Sequence, residues 1–369
     1  MTLPRVAAFT DTYLPTVNGV TYTVKTWRDR WENRGGRMDV VYPGSDHEPR
    51  AGEHPVGSLA FPFYEGFRMG LPRVPDAIQR VDVVHSHTPF GIGLGGWRLA
   101  RSLDVPLVAS YHTPSAEYAE YLSVNGTIEK AVRRSATAYE RLFLNSAEVV
   151  VVPSAETGRH VRETVGVSTE TAVVPNGVDT DFFRPDPGDF RERYDLPDRP
   201  LVGYTGRHGH EKRLGLLVEA VAGMDADVTL VLGGDGPARD SLETAVAEYD
   251  VDARFLGFLP REDLPNFYAT LDVFGFPSPV ETQGLVALEA NACGTPVAGV
   301  NAGALADTIT DGENGFHAPA GDPLAFAETI ERTLAERERL RENCLAGRDG
   351  ISAERAVDRL AAIYERLTG

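Results

Sequence analysis

Two patterns of apolar positions alternate along the chain. Short, Val-rich apolar runs are separated by longer stretches in which apolar residues recur every three or four positions. The runs VAAFT (6–10), MDVVYP (38–43), VDVVHSH (81–87), PLVASYH (106–112), EVVVVPS (148–154) and TAVVPN (171–176) predict strands. Unbroken apolar runs of this length suit a parallel sheet covered on both faces, since neither face is left polar. Helices are predicted between them at 20–34, 92–103, 128–146 and 155–165. The pattern then restarts. LVGYTG (201–206), VTLVLGG (228–234), ARFLGF (253–258), DVFGFPS (272–278) and TPVAGV (295–300) read as strands. Helices fit 213–223, 238–249, 262–270, 284–293 and 322–343.

Two successive β-α-β series predict an α/β chain built from two doubly wound, Rossmann-like domains. The expected division is 1–180, 181–350 and a terminal amphipathic helix, 351–369, that crosses back to the first domain. The segment NGVDTDFFRPDPGDFRERYDLPDRP (176–200) holds four prolines and many charges, and reads as the linker. In doubly wound folds ligands bind outside the carboxyl ends of the strands, so a cleft between two facing domains is the expected site.

Composition narrows the class. The 369 residues suffice for two cored domains. Two cysteines, Cys293 and Cys344, exclude a disulfide scaffold or a zinc ribbon. No run is long enough to span a bilayer, and MTLPRVAAFT lacks the pattern of a secretory signal, so a cytoplasmic location is expected. A net charge of -18 argues against a nucleic-acid binder. The only lysines are Lys25, Lys130 and Lys212 among 36 basic residues. An acidic, lysine-poor chain fits a salt-loving organism; a GC-rich genome gives the same bias. The charge is also uneven. Residues 1–180 carry 18 basic and 20 acidic groups, and residues 181–369 carry 18 and 34. Lys25, Arg28, Arg30, Arg34 and Arg37 crowd one short stretch of the first half. With the aromatic, amphipathic stretch 111–143 they suggest a peripheral surface for anionic lipid headgroups; a solvated helix face explains the cluster equally well.

Four groups fall at predicted strand ends. Asp11 to Val20 follows the first strand, and Gly19 there opens a helix whose free amides suit an anion. His112 ends PLVASYH, placed to hydrogen-bond a substrate hydroxyl. Arg207 and Lys212, in GRHGHEK (206–212), set a planar cationic fork and a point charge at one strand-to-helix turn. His208 and His210 lie between them without the carboxylates a metal site needs. In SPVETQGLVALE (278–289), Glu281 precedes a helix whose first amides belong to Gly284, Leu285 and Val286. Glu289 falls in an otherwise apolar run and needs a partner, which a ligand hydroxyl would supply. Two other motifs carry nothing. Asp179-Thr180-Asp181 imitates a metal-binding pair but sits in the linker, and the turn at Gly234-Asp235-Gly236 lacks the third glycine of a dinucleotide fingerprint.

Residues 205–296 resemble the retaining glycosyltransferases of family four, which have the two-domain GT-B fold. Arg207-x4-Lys212, the Gly234-Asp235-Gly236-Pro237 turn, FLGF (255–258), Glu281-x7-Glu289 and ACGTP (292–296) carry the resemblance, in family order and spacing. In the first half FTDTYLPTVNGV (9–20), VVHSHTPFGIGLGG (83–96) and SYHTPSAEYAEYL (110–122) look most like the branch that makes membrane glycolipids. The resemblance implies hexose transfer from a UDP- or GDP-sugar to a membrane lipid, with no cofactor and no obligatory metal. Arg207 and Lys212 would hold the donor diphosphate, Glu281 the sugar hydroxyls beside the amides of Gly284 and Leu285, and Glu289 the ribose. His112 would reach the donor sugar, Gly19 would approach the diphosphate, and Gly257 and Phe258 would border the base. Gln283, Asn291, His208, His210 and the Asn18-Gly19 pair depart from the family's usual choices, which touches donor identity more than activity. Transfer to a soluble or polyprenyl-linked glycan, or epimerase or hydrolase chemistry on the same fold, are the alternatives.

Overall fold

The computed structural model describes residues 3–60, 68–112 and 126–369. The chain divides into two units, residues 1–176 with 353–369, and residues 177–352.

The first unit has a seven-stranded, all-parallel sheet. Its strands are β1 (Arg5–Phe9), β2 (Arg37–Pro43), β3 (Glu53–Val56), β6 (Val83–Ser86), β7 (Leu107–Ser110), β8 (Val149–Val152) and β9 (Thr171–Val173), in the order β3-β2-β1-β6-β7-β8-β9. A short antiparallel pair, β4 (Ser58–Ala60) and β5 (Arg68–Gly70), interrupts the series. The second unit repeats the plan with six parallel strands: β10 (Leu201–Thr205), β11 (Thr229–Gly233), β12 (Ala253–Gly257), β13 (Val273–Phe276), β14 (Val297–Val300) and β15 (Gly315–Ala318). Their order is β12-β11-β10-β13-β14-β15. In each sheet the order reverses once, at β1/β6 and at β10/β13, and these are the points where ligands of doubly wound folds bind.

The strands that the apolar pattern predicts form within one to three residues of the expected ends. All four valines of β8 are buried, as a strand covered on both faces requires. Each such side chain taken from water is worth about 1.5–3 kcal/mol. The strands the pattern misses are at or near sheet edges. β3 carries Glu53 and Pro55, and proline is tolerated there because an edge strand has one row of unpaired groups. β15 is likewise an edge strand, four residues containing a glycine and a histidine.

Two expectations are corrected and a third is refined. Residues 176–200 are not a loose linker: Phe183 and Phe190 are fully buried in the second core, and a short helix forms at Phe190–Arg193. Arg348 donates to the carbonyls of Thr180 and Phe183 and ties the segment down. The Asp179 carboxylate accepts from the amides of Asp181 and Phe182, a local turn. The helix predicted at 322–343 is two, Pro323–Ala335 and Arg337–Ala346, broken at Glu336 with φ -101° and ψ 10°. The predicted 155–165 helix runs regularly over Ala155–His160 and widens into one π turn over Val161–Val165 before Gly166 stops it.

The terminal helix Ala353–Thr368 packs on the first unit. Val357, Leu360 and Tyr364 are buried against β1, β2 and the helix Gly19–Asn33, with the Tyr364 ring edge-on to Trp31 at 5.4 Å. Arg30 and Arg34 pair with Glu354, and Arg34 also with Asp358.

Candidate active site

The loops that follow β10, β11, β12 and β13 leave the second sheet at one edge, because the strands are parallel. Two of these loops lie backbone against backbone. A Cβ on Gly234 would fall 2.0 Å from the Gly206 carbonyl oxygen, so only glycine fits there. The His208 amide donates to the Asp235 carbonyl at 2.8 Å, and the His208 carbonyl accepts from the Ala238 amide at 2.8 Å. The loop that carries Arg207 is therefore clamped before any ligand arrives.

Lys212 follows on a single turn, and Arg213 after it adopts a left-handed conformation, φ 51° and ψ 38°. That conformation costs a non-glycine residue on the order of 1–3 kcal/mol and is found where surrounding structure over-determines the backbone. Lys212 Nζ donates to Glu281 Oε1 at 2.6 Å, with both side chains largely shielded. The two residues are 69 apart in sequence and come from the ends of neighbouring strands at the reversal point. Arg207 donates to Glu211 Oε1 at 2.6 Å and stays more open. Below them lies Tyr204, whose hydroxyl is pushed well up by burial and by the charges of Glu281 and Glu211. The arrangement sets two cations against two carboxylates.

Glu281 is fixed from a second side. Its carbonyl accepts from the Ala304 amide at 3.1 Å, in the loop after β14. The helix Leu285–Ala292 then begins at Gly284, which has φ 73°. A Cβ at Gly284 would meet Leu305 at 2.8 Å as well as the left-handed penalty. Its N-cap is a glycine, which offers no side-chain acceptor to the first amides, a setting that suits an anion or a hydroxyl.

Glu289 sits in the second turn and is buried. The partner it requires is inside the protein: the Tyr268 hydroxyl donates to Glu289 Oε2 at 2.7 Å. Burial nevertheless raises the Glu289 carboxyl to about 7. The expected partner is thus present within the chain itself, on one of the two carboxylate oxygens. At the end of β12, Gly257 accepts from the Gly234 amide at 2.6 Å, and Phe258 beyond it is 69% exposed, an aromatic face without cover. His208 is not a surface group: it is fully buried with Nε2 on the Gly233 carbonyl at 3.1 Å, and His210 lies apart from it in the following turn.

In the first unit the ends of β1 and β6 are joined by Asp11. Its carboxylate accepts from Thr88 Oγ1 at 2.6 Å and from the Ile92 amide at 3.0 Å, at the start of the helix Gly91–Leu103. Burial lifts the Asp11 carboxyl to about 6, against the lowering pull of these bonds. Asn18 caps the helix Gly19–Asn33 by accepting from the Thr21 amide at 2.9 Å, leaving Gly19 exposed as its first residue. His112 lies two residues beyond β7 and is buried. Residues 113–125, and with them much of the 111–143 stretch, lie outside the described residues.

The basic cluster is paired with carboxylates of its own unit. Lys25 pairs with Asp29 at 2.5 Å, Arg28 with Glu53 at 2.5 Å, Arg34 with Glu354 at 2.6 Å and Arg37 with Asp39 at 2.8 Å. Arg30 joins Glu354 at 3.0 Å. Arg28 is not on the surface at all.

Several of these residues escape the sequence. Glu211 had a signal, standing four residues after Arg207. Tyr204, Tyr268 and Ala304 had none, because their roles depend on contacts made only in the folded chain.

Comparison with known proteins agrees with this geometry. The family model for glycosyl transferases group 1 matches residues 188–346, and that for glycosyltransferase family 4 matches residues 17–182. A GDP-mannose-dependent alpha-mannosyltransferase of Mycolicibacterium smegmatis is 31% identical over 99% of this chain and 98% of its own. An alpha-monoglucosyldiacylglycerol synthase of Streptococcus pneumoniae is 28% identical over 79% of this chain and 70% of its own. Among solved structures, sucrose-phosphate synthase from Thermosynechococcus elongatus superposes with a TM-score of 0.79 at 24% identity, over 98% of this chain and 99% of that one. HepE from Anabaena, solved with UDP and glucose, gives 0.77 at 19%, over 98% of this chain and all of that one. The architecture is the GT-B fold, and the chain belongs to glycosyltransferase family 4.

Proposed function

We propose that this glycosyltransferase moves a hexose, with retention of anomeric configuration, from a nucleoside-diphosphate sugar to a lipid acceptor at a membrane surface. One observation carries the donor half of the reading: Lys212 and Glu281 are held 2.6 Å apart at the strand reversal, beside the helix that begins at Leu285. A diphosphate drawn to Lys212 and Arg207 competes with their carboxylate partners and releases Glu281 toward sugar hydroxyls. The C1–oxygen bond to the diphosphate then breaks as the acceptor oxygen bonds C1 from the same face. The acceptor proton passes to the departing phosphate oxygen. Charge grows on that leaving group, and fixed cations aimed at it stabilise the transition state more than the ground state. On this reading Arg207 and Lys212 do the work a metal ion does elsewhere. Glu289 accepts from the ribose, the open face of Phe258 stacks on the base, and His112 serves the sugar.

The acceptor half rests on relatives, among them the alpha-monoglucosyldiacylglycerol synthase. Relatives that match from end to end are named for GDP-mannose, which makes it the first donor to try. Calorimetric titration of UDP, GDP and ADP with a chelator present tests the donor half. Micromolar binding of one diphosphate, lost in Lys212→Ala, is expected. No binding of any, or binding indifferent to Lys212, overturns it.

A further inference from the structure

The first unit buries three imidazoles side by side. His85 on β6 and His87 just beyond it are two residues apart and so face the same side of the sheet. Their rings stack at 4.1 Å. The His87 ring stacks in turn on that of His112 at 5.4 Å, with planes 16° apart. Trp27, from the helix Gly19–Asn33, covers all three at centroid distances of 5.8–6.3 Å.

The polar atoms of this stack are matched in a particular way. His85 is satisfied at both ends, by the Tyr364 hydroxyl at 2.5 Å and by Ser110 Oγ at 2.8 Å. His87 Nδ1 and His112 Nε2 face each other at 3.1 Å. Burial keeps all three rings neutral: it lowers His85 to about 3, His112 to about 4 and His87 well below its ordinary value. Two neutral imidazoles share one proton across such a contact, so one must donate and the other accept. The tautomer of His112 is then set by His87, and Nδ1 is the ring atom of His112 that no hydrogen bond occupies among the described residues. Buried polar groups are expensive to keep, so a stack of three calls for a use.

Resting on the proposed role of His112 toward the donor sugar, we infer that His87 is its positioning residue, fixing ring plane and tautomer through the Nδ1–Nε2 contact. His85, anchored by Tyr364 of the terminal helix, backs the stack and keeps His87 from rotating.

The test uses the replacements Asn, Gln and Phe at His87. An Asn amide falls where His87 Nδ1 lies, whereas Gln reaches only toward Nε2 and Phe has no polar atom. His87→Phe and His87→Gln are expected to lose about tenfold in kcat, the scale of one orienting hydrogen bond, with little change in KM for the donor. His87→Asn is expected to retain most of the wild-type rate. In ¹⁵N-labelled protein, His112 should show one tautomer in the wild type and exchange-averaged nitrogen shifts in His87→Phe. UDP and GDP affinity and melting temperature, measured alongside, register whether each variant is folded. Equal rates in all three variants, or an unaltered His112 tautomer in His87→Phe, overturn the inference. Full activity of His112→Ala overturns the reading of His112 instead, which separates the two failures. Loss of folding in His87→Phe alone leaves the comparison of Asn with Gln to decide the matter.

Discussion

Replacing Glu289 by Gln should change how stability depends on pH, and the size of the effect follows from the burial of one carboxyl. Its ordinary value is 4.5 and the fold raises it to about 7. Below pH 4.5 the group is protonated in both folded and unfolded chains and contributes no pH dependence. Between the two values the unfolded chain releases the proton and the folded chain keeps it. The folded state binds more protons there, so stability falls as pH rises. Above about pH 7 both states are ionised and the full cost is present. The span corresponds to about 3 kcal/mol. The glutamine amide carries no charge, and its oxygen can still accept from the Tyr268 hydroxyl. The variant should therefore match the wild type near pH 4.5 and exceed it by up to about 3 kcal/mol at about pH 8. In a unit of this size that is about 6–12 °C in melting temperature. Calorimetric melting between about pH 5 and 8 reads it directly. Trp27, Trp31 and Trp97 all lie in the first unit, so the transition without a change in tryptophan fluorescence belongs to the second. Parallel pH profiles for variant and wild type would refute the argument. The same proton matters for binding: ribose hydroxyls donate best to an ionised carboxylate, so nucleotide binding near pH 6 should release protons in the wild type and fewer in the variant.

Three further outcomes are expected. Lys212→Ala should lower kcat by about 10²–10³ with the fold intact, the usual effect of removing one transition-state electrostatic contact, as steady-state kinetics will show. Activity should persist in excess EDTA, measured as nucleotide release after dialysis. Leu360→Ala removes a fully buried side chain where the terminal helix joins the first unit; it should cost about 2–5 kcal/mol, seen as an earlier tryptophan unfolding transition in urea.

Much of the fold is legible in the sequence because buried parallel strands must be apolar throughout, and few other structures put five or six valine-rich runs between helices. The strand ends follow from the runs, and with them the places where chemistry can sit. Arg207, Lys212, Glu281 and Glu289 are legible on that basis. The pairings among them are not. Nothing local says that Lys212 meets Glu281, or that Tyr268 meets Glu289, because the register of distant strands decides both. The His85–Tyr364 contact joins residues 279 apart. The pairing of the basic cluster is only partly legible: Asp29 and Asp39 lie beside Lys25 and Arg37, but Glu53, Glu354 and Asp358 lie farther along the chain. Pro55 hides an edge strand because a proline inside an apolar run reads as a break, although an edge strand tolerates it. Phe182 and Phe183 are hidden in a run of prolines and charges, where two apolar residues make no period.

The central claim is a nucleotide-sugar transferase with a lipid acceptor. Purified protein is mixed with a panel of UDP- and GDP-sugars at molar salt, with and without a total lipid extract. Nucleotide release is followed, and glycolipid is identified by mass spectrometry and its anomeric coupling by NMR. Release from one donor that depends on lipid, with a glycolipid keeping the donor's anomeric configuration, is the predicted result. Release that ignores lipid, or a product of inverted configuration, contradicts it.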